Sequence, residues 1–263
     1  MAAAIRIFQW GLTGQLSYRN PYWFRSLIVK RGFDLIASGL ALLLLSPLIL
    51  TSAIAVRLTS TGPVFFKQTR VGKSRREFRL IKFRTMRMNA ETSGPSVTAR
   101  GDTRITPVGR FLRRTKLDEL PELWNVLIGD LSLVGPRPEV PRYAATYLPE
   151  WERIFSIRPG ITDPATLQFR DEEAVLEAAQ DSEAAYVNVV IPMKVKLALD
   201  YVDNWTIRLD LKLLILTVWA ITLGRVLARP DRRMAEEAIL AVRKFEETGK
   251  LKSSLTAPEN QLR

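Results

Sequence analysis

The pattern of apolar and polar positions sets one long uncharged segment apart from the rest of the chain. Leu35 to Val56 contains no charged residue and is rich in Leu, Ile and Ala. Such a run is long enough to span a bilayer as a helix. Ser46-Pro47 lies at its middle, where proline removes a backbone hydrogen bond and the serine hydroxyl can satisfy the freed carbonyl. The pattern predicts a membrane helix that is broken at Ser46-Pro47.

Basic residues flank this segment on both sides. Lys30 and Arg31 precede it, and Arg57 follows it. Because positive residues favour the cytoplasmic side, a straight span would force one basic flank outward. A Pro-kinked helix that crosses the bilayer is the commoner structure, whereas a re-entrant helix enters and leaves by one face. The charge pattern favours the re-entrant form.

Strand and turn signals follow the apolar segment. Gly62 to Gln68 and Glu77 to Arg84 have the composition of two short strands, and Val71-Gly72-Lys73-Ser74 supplies a turn between them. These features predict a β-hairpin. The polar stretch at residues 89–103 is typical of a loop.

Helical spacing appears next. Thr106-Pro107 is a typical helix start. A second helix, ending at Gly129-Asp130, is predicted by the apolar residues Leu120, Leu123, Trp124 and Leu127. In Gly135-Pro136-Arg137-Pro138, two prolines hold an arginine in a stiff extended loop. Arg158 to Asp163 is predicted to be a turn between acidic helical segments.

The two ends of the chain differ in character. Leu213 to Gly224 is apolar but too short to span a bilayer, so it lies in the membrane interface or packs in the core. A charged helix is predicted from Pro230 to about Thr248, followed by residues of disordered composition. Residues 1–29 are basic and aromatic, which suits either a membrane–water interface or a loosely ordered arm.

Composition narrows the chemistry. The chain has 263 residues with no cysteine and no histidine, which excludes disulfides, Ser-His-Asp catalysis and the usual zinc sites. Metal ligands must be oxygens, which favours Mg²⁺, Mn²⁺ or Ca²⁺. The net charge of +12 is concentrated between Lys67 and Lys116. This basic block needs an anionic partner such as nucleic acid, anionic lipid or a phosphorylated substrate.

Two adjacent carboxylates, Asp118 and Glu119, follow the basic block. The cations near them in the sequence or on the predicted hairpin and loop are Lys82, Arg84, Arg113, Arg114 and Arg137. Oxygen ligands beside cations are what phosphoryl transfer requires. An acidic pair at a helix start is also typical of a surface cap, and a basic block can simply rest on anionic lipid. Residue chemistry alone leaves these interpretations open.

Several motifs occur together and in order. They are Lys30-Arg31-Gly32-Phe33-Asp34, Ser46-Pro47, Gly62-Pro63-Val64-Phe65-Phe66, Lys82-Phe83-Arg84-Thr85-Met86, Leu117-Asp118-Glu119-Leu120-Pro121, Asn125-Val126-Leu127, Ser132-Leu133-Val134-Gly135-Pro136-Arg137-Pro138, Arg158-Pro159-Gly160-Ile161-Thr162, Tyr201-Val202-Asp203-Asn204 and Asp210-Leu211-Lys212. This set resembles the bacterial sugar transferase family, the monotopic phosphoglycosyl transferases, over roughly Lys30 to Leu227.

The resemblance implies a reaction and a location. Members of the family move a sugar-1-phosphate from a UDP-sugar to polyprenyl (undecaprenyl) phosphate and release UMP, which initiates a surface polysaccharide or glycoconjugate. They act at the cytoplasmic face of the bacterial inner membrane. The family's acidic dyad falls on Asp118 and Glu119. By this resemblance Asp118 is the nucleophile that forms a phosphosugar intermediate, and Glu119 assists with metal binding or proton transfer.

The resemblance also implies a cofactor and binding residues. Asp118 and Glu119 are expected to hold Mg²⁺, with Mn²⁺ as an alternative. The substrate-binding residues expected are Lys82, Arg84, Arg113, Arg114, Arg137 and Pro138. Ser46 and Pro47 fall on the family's membrane break. One departure is Asp163, because the family usually has glycine there, and its effect on the turn is open.

The predicted fold class is α+β: a mostly helical cytoplasmic catalytic domain with a short β-hairpin, anchored by a re-entrant helix-break-helix segment. The predicted parts are an arm (1–29), the re-entrant helix (30–60), the catalytic domain with interfacial helices (61–228) and a charged tail (229–263). Expected partners are UDP-sugar, polyprenyl phosphate, anionic lipid, downstream glycosyltransferases and a second copy in a homodimer, but no nucleic acid. The competing hypothesis is a non-catalytic membrane-anchored scaffold that binds anionic lipid or nucleic acid.

Overall fold

The computed structural model describes residues 22–88, 90, 102–169, 172–222 and 233–248, and these residues are mostly helical. The helices are α1 (Tyr22–Leu44), α2 (Ser46–Thr59), α3 (Pro107–Thr115), α4 (Glu122–Ile128), α5 (Pro141–Ala144), α6 (Pro164–Gln168), α7 (Glu172–Glu177), α8 (Ser182–Ala185), α9 (Ile191–Asp203), α10 (Ile207–Ile221) and α11 (Arg233–Thr248). The strands are β1 (Phe65–Val71), β2 (Glu77–Phe83), β3 (Ser132–Val134) and β4 (Gly160–Thr162).

The break predicted in the apolar segment is confirmed. Leu27–Leu44 and Ser46–Thr59 are bent by 62° relative to each other. Pro47 has no N–H to donate to the carbonyl of Leu43, and the Ser46 hydroxyl donates to that carbonyl instead at 2.8 Å. In the described part of the chain, no single helix has the length and apolarity to cross a membrane; α1 and α2 meet that test only as a bent pair.

The predicted hairpin is confirmed with small shifts at its ends. Strands β1 and β2 pair antiparallel, with Phe65 opposite Phe83 and Val71 opposite Glu77. Leu80 packs in a core cluster with α4. Phe83 packs on the other side of the strand, in a cluster that includes Val56 of α2. The hairpin therefore joins the bent helix pair to α3 and α4, and it directs the end of β2 toward them.

The prediction of a turn at Arg158 to Asp163 is wrong, because these residues contain strand β4. It pairs in parallel with β3, with Ser132 opposite Gly160 and Val134 opposite Thr162. The backbones come very close where Gly160 of β4 meets Gly135, the residue after β3. A Cβ atom at Gly160 would lie 2.1 Å from the nitrogen of Gly135, so glycine is required for the approach. This second sheet fixes the start of the proline-rich loop.

The C-terminal helices have a mixed environment. On α10, Leu213 is buried, whereas Ile215 is 69% exposed and Val218 is 61% exposed, so the predicted apolar run has one packed face and one open face. The charged helix predicted to end near Thr248 is confirmed as α11, and it packs against α7. The predictions for the aromatic arm up to residue 21, for most of the loop at 89–103 and for the tail beyond 248 lie outside the described residues.

Candidate active site

The acidic pair lies in a short 3₁₀ turn, Leu117–Glu119, between α3 and α4. Helix α3 begins as predicted, because the Thr106 hydroxyl caps it by accepting from the nitrogen of Gly109 at 2.9 Å. It ends at Thr115, and the next residue, Lys116, adopts a left-handed conformation with φ of 61°. That residue turns the chain so that Asp118 and Glu119 precede α4 rather than occupying its first turn.

Asp118 is the more isolated of the two carboxylates. Its side chain is buried, and among the described residues its Oδ1 atom has no hydrogen-bond partner. Burial raises the pKa of Asp118, and the negative charge of Glu119 raises it further. Lys82, Lys116 and Arg113 act in the opposite direction. Among the described residues, no donor uses this carboxylate oxygen, although several cations lie around it.

Glu119 has the opposite environment. Its Oε1 accepts from Arg137 Nη2 at 2.5 Å, and Lys82 Nζ lies 3.1 Å from the same atom. Lys116 lies 3.8 Å away. Burial alone would raise the pKa of Glu119, but Arg137, Lys82 and Lys116 outweigh it and hold that pKa well below the usual range. The two neighbouring carboxylates therefore have pKa values displaced in opposite directions.

Arg137 is held from three sides in the proline-rich loop. Its Nη1 donates to the carbonyl of Ile161 in β4 at 3.2 Å, in addition to the bond to Glu119. Its backbone nitrogen donates to Asp163 Oδ2 at 3.1 Å, and the other oxygen of Asp163 accepts from the nitrogen of Thr166 at 2.6 Å, which caps α6. Asp163 thus connects the loop to α6. Pro138, which is buried, accepts from Arg70 through its carbonyl at 2.9 Å.

The sequence analysis missed Glu122 as part of this site. Its side chain is buried, and its Oε1 lies 3.1 Å from Lys82 Nζ. Burial raises the pKa of Glu122, and Lys82 opposes the shift. Its spacing in the sequence could have indicated this position, because Glu122 is three residues after Glu119 and residues three apart share a helix face. Lys82, which lies on strand β2, therefore contacts the carboxylates of both Glu119 and Glu122.

The other predicted binding residues are spread more widely. Arg113 Nη2 donates to Glu173 Oε1 at 2.9 Å. Arg114 is exposed on α3. Arg84 is buried and donates through Nη2 to the carbonyl and hydroxyl oxygens of Ser60, at 2.9 and 2.8 Å. Its guanidinium is thus directed to the end of α2, whereas Lys82 and Arg137 converge on Glu119.

Comparison with known proteins identifies the family to which this chain belongs. The sequence model of the family described as bacterial sugar transferase matches residues 25–224, which include the bent helices, the hairpin, the acidic pair and the proline-rich loop. The chain belongs to the bacterial sugar transferase family. Helix α11 lies outside the matched region.

Curated relatives of this bacterial sugar transferase carry related names. It is 37% identical over 193 residues to a UDP-glucose:undecaprenyl-phosphate glucose-1-phosphate transferase of Caulobacter vibrioides, covering 72% of this chain and 68% of that protein. It is 37% identical over 199 residues to a UDP-N-acetylgalactosamine-undecaprenyl-phosphate N-acetylgalactosaminephosphotransferase of Aeromonas hydrophila, covering 74% of this chain but only 44% of that protein. An uncharacterized sugar transferase of Bacillus subtilis, EpsL, is 38% identical over 212 residues, which are 80% of this chain and 95% of EpsL.

Within the acidic pair, Asp118 offers an oxygen of the kind that a hard divalent cation takes, whereas Glu119 Oε1 is engaged by Arg137 and Lys82. Asp118 Oδ1 is a buried oxygen without a protein partner in the described part of the chain, which is the type of ligand that Mg²⁺ prefers. The described residues contain no group of three acidic side chains arranged to hold a metal. A metal at Asp118 and Glu119 would therefore take its other ligands from substrate oxygens or water, as Mg²⁺ commonly does in phosphoryl-transfer sites.

Proposed function

We propose that this transferase moves a sugar-1-phosphate from a UDP-sugar to polyprenyl phosphate, in the undecaprenyl form named in its relatives, and releases UMP. The observation that carries this proposal is the pairing of a buried, unpartnered Asp118 oxygen with a neighbouring Glu119 that is held by Arg137 and Lys82. Family membership and the names of the relatives support the reaction class.

Arg137 and Lys82 are the donor-binding cations in this proposal. Both contact Glu119 in the described structure, and both can turn to phosphate oxygens when the donor enters. Arginine suits this role because its planar fork binds phosphate through two parallel hydrogen bonds. The Ile161 carbonyl and Asp163 keep Arg137 in place through the exchange. The diphosphate of the UDP-sugar is thereby placed against Asp118.

Asp118 is the nucleophile. Its carboxylate oxygen attacks the β-phosphorus of the UDP-sugar, an acyl phosphate bond forms, and the bond from that phosphorus to the bridging oxygen breaks as UMP leaves with that oxygen. In the second half, an oxygen of polyprenyl phosphate attacks the same phosphorus. The bond to Asp118 breaks, the carboxylate is restored and a polyprenyl-diphosphate sugar is released. Atoms and charge balance without any oxidant or reductant.

Glu119 supports this nucleophile. Its low pKa keeps it ionised at neutral pH, because Arg137, Lys82 and Lys116 outweigh the effect of its burial. Asp118 and Glu119 are the residues that would hold Mg²⁺, which when bound neutralises phosphate charge. Glu119 also holds Lys82 and Arg137 near Asp118 before substrate arrives.

The bent helix pair is proposed to be the membrane anchor, with both its ends on the cytoplasmic face of the inner membrane. Large apolar side chains on it are exposed to a degree that favours a lipid environment, with Leu44 at 76% and Leu58 at 80%. The 62° bend supports entry and exit by one face. Arg57, which is exposed near the end of α2, would then lie near anionic headgroups, whereas Lys30 is buried and paired with Asp210 at 2.5 Å.

The reaction is tested by UMP release. Purified protein with polyprenyl phosphate, Mg²⁺ and a panel of UDP-sugars is expected to release UMP with at least one sugar. Asp118→Asn is expected to abolish release, whereas Asp130→Asn, which removes an acidic charge just after α4, is expected to retain it. Full turnover by Asp118→Asn would disprove the nucleophile assignment. The scaffold alternative instead expects salt-sensitive nucleic-acid binding that does not depend on Asp118.

Topology is tested separately. The chain has no cysteine, so single cysteines introduced at Gly11 and Thr98 report their own accessibility. Both are expected to be protected from an impermeant thiol reagent in intact cells. Labelling at Gly11 alone would show that the segment crosses the membrane.

A further inference from the structure

The carboxylate of Glu173, on a helix distant in sequence, forms an ion pair with Arg113, one of the cations near the acidic pair. Glu173, on α7, accepts from Arg113 Nη2 at 2.9 Å. Arg113 lies in the last turn of α3, and its charge acts on Asp118. The side chains of the pair are 27% and 44% exposed for Arg113 and Glu173. The contact is therefore an ion pair near the surface that an incoming anion can open.

Helix α7 is held firmly by contacts that do not involve Glu173. Val175 and Leu176 are buried in the same cluster as Ala238 and Val242 of α11. At the start of α7, Glu172 accepts from Lys194 Nζ at 2.9 Å. These contacts fix the backbone that carries Glu173, so its carboxylate faces Arg113 without being needed to hold the helix.

We propose that Glu173 is a displaceable counter-ion of Arg113 that weakens the binding of the nucleotide diphosphate and favours the departure of UMP. This inference rests on the proposed function, since it takes the anion that reaches Arg113 to be the phosphates of the donor. Glu173 is a positioning residue and touches no reacting atom. The ion pair between Arg113 and Glu173 forms again each time the nucleotide leaves.

The physical basis is competition between two anions for one guanidinium. A phosphate that binds Arg113 must displace Glu173 and then sit near its negative charge. Removing that charge while keeping the shape of the side chain frees Arg113 for the phosphate. For a partly exposed pair we expect UDP to bind about two- to fivefold more tightly, which corresponds to about 0.4–1 kcal/mol. The gain shrinks at high salt, because surface charges are screened.

The test compares Glu173→Gln with Glu177→Gln in the full chain. Glu177 is exposed on the same helix, so both variants lose one acidic charge from α7. UDP affinity is measured by calorimetry at low and at high salt, and UMP inhibition is measured during turnover. Glu173→Gln is expected to bind UDP more tightly and to be inhibited more strongly by UMP, whereas Glu177→Gln is expected to match the wild type. Glu173→Asp, which keeps the charge, is expected to stay near the wild type.

The outcomes separate this inference from the proposed function. Equal UDP affinities in Glu173→Gln and Glu177→Gln, or weaker binding in Glu173→Gln, would overturn the counter-ion role even if the enzyme turns over. Absence of UMP release from every UDP-sugar would overturn the proposed function, while tighter UDP binding by Glu173→Gln would still support the counter-ion role. No UDP binding by the wild type would overturn both.

Discussion

Replacing Asp118 by asparagine is expected to stabilise the fold and to abolish activity. Asp118 is buried and its Oδ1 has no partner among the described residues. Burial and the charge of Glu119 raise its pKa, so folding disfavours the ionised form. Asparagine keeps the shape but removes the charge. Loss of a nucleophile is expected to lower turnover by at least about a thousandfold.

The size of the stabilisation follows from the unpartnered oxygen. Leaving a buried polar group without its hydrogen bond costs about 1–3 kcal/mol, and more when it is charged. Asparagine still buries a polar group, so we expect a gain of about 1 kcal/mol. In a chain of this size that raises the Tm by about 2–4 °C. Thermal unfolding in detergent near pH 7 measures it.

The pH dependence has a definite sign. Because the folded-state pKa of Asp118 is raised, the contribution of this one group to stability is fully present below the unfolded pKa of about 3.9 and is lost as pH rises through the folded value. Asparagine does not titrate. Its advantage therefore grows as the pH rises from about 4 through the folded pKa of Asp118 and disappears as the pH falls below about 4. A destabilised Asp118→Asn variant at pH 7, or a gain that is independent of pH, would refute this reasoning.

Glu119→Gln is the matched comparison and has the opposite expected sign. Arg137 and Lys82 pair with Glu119, and its pKa is well below the usual range despite burial. The ionised form therefore stabilises the fold above the unfolded pKa of about 4.3, and this stability is lost as the pH falls through the folded pKa. Breaking a buried ion pair costs about 3 kcal/mol. Two variants one residue apart thus move the Tm in opposite directions.

Three further predictions concern the surroundings of the pair. Arg137→Lys keeps the charge but loses the planar guanidinium that can form two parallel hydrogen bonds. We therefore expect kcat/KM for the UDP-sugar to fall about 10- to 100-fold in the UMP-release assay, equivalent to about 1.4–2.8 kcal/mol. An unchanged kcat/KM would show that Arg137 does not bind the donor. Asp163→Ala is expected to lower unfolding stability by about 1 kcal/mol through loss of the α6 cap and Asp163→Asn by less, measured by denaturant unfolding; equal losses would contradict the cap. Pro47→Ala is expected to straighten the bend and to make a cysteine at Gly11 accessible to the impermeant reagent; unchanged protection would show that proline is not the cause.

The sequence predicted correctly those structural features that are determined by residues close together in the chain. The bend follows from Pro47 and the adjacent Ser46, and the structure shows the serine hydroxyl on the carbonyl that proline leaves free. The start of α3 follows from Thr106 before proline. The hairpin follows from two strand-like runs around a turn at Gly72. In each case the deciding contact lies within a few residues or between adjacent segments.

The contacts missed from the sequence join residues that are far apart in it. Strands β3 and β4 have only three residues each and are almost fully buried, so neither shows the alternation that marks a strand exposed on one face. Glu173 pairs with Arg113 across 60 positions, and no spacing rule relates them. Asp163 differs from the glycine expected by resemblance, and its role as a cap and as a partner of the Arg137 nitrogen became visible only in the structure.

The central claim is that Asp118 carries the phosphosugar between donor and acceptor. The most direct measurement mixes enzyme with a UDP-sugar that supports turnover, leaves out polyprenyl phosphate, and follows UMP release together with the intact protein mass. We expect a burst of about one UMP per enzyme and a matching increase in protein mass that maps to the peptide containing Asp118, both absent in Asp118→Asn. Adding polyprenyl phosphate is expected to remove the mass increase and to allow further UMP release. UMP release only when both substrates are present, with no change in protein mass, would contradict the claim.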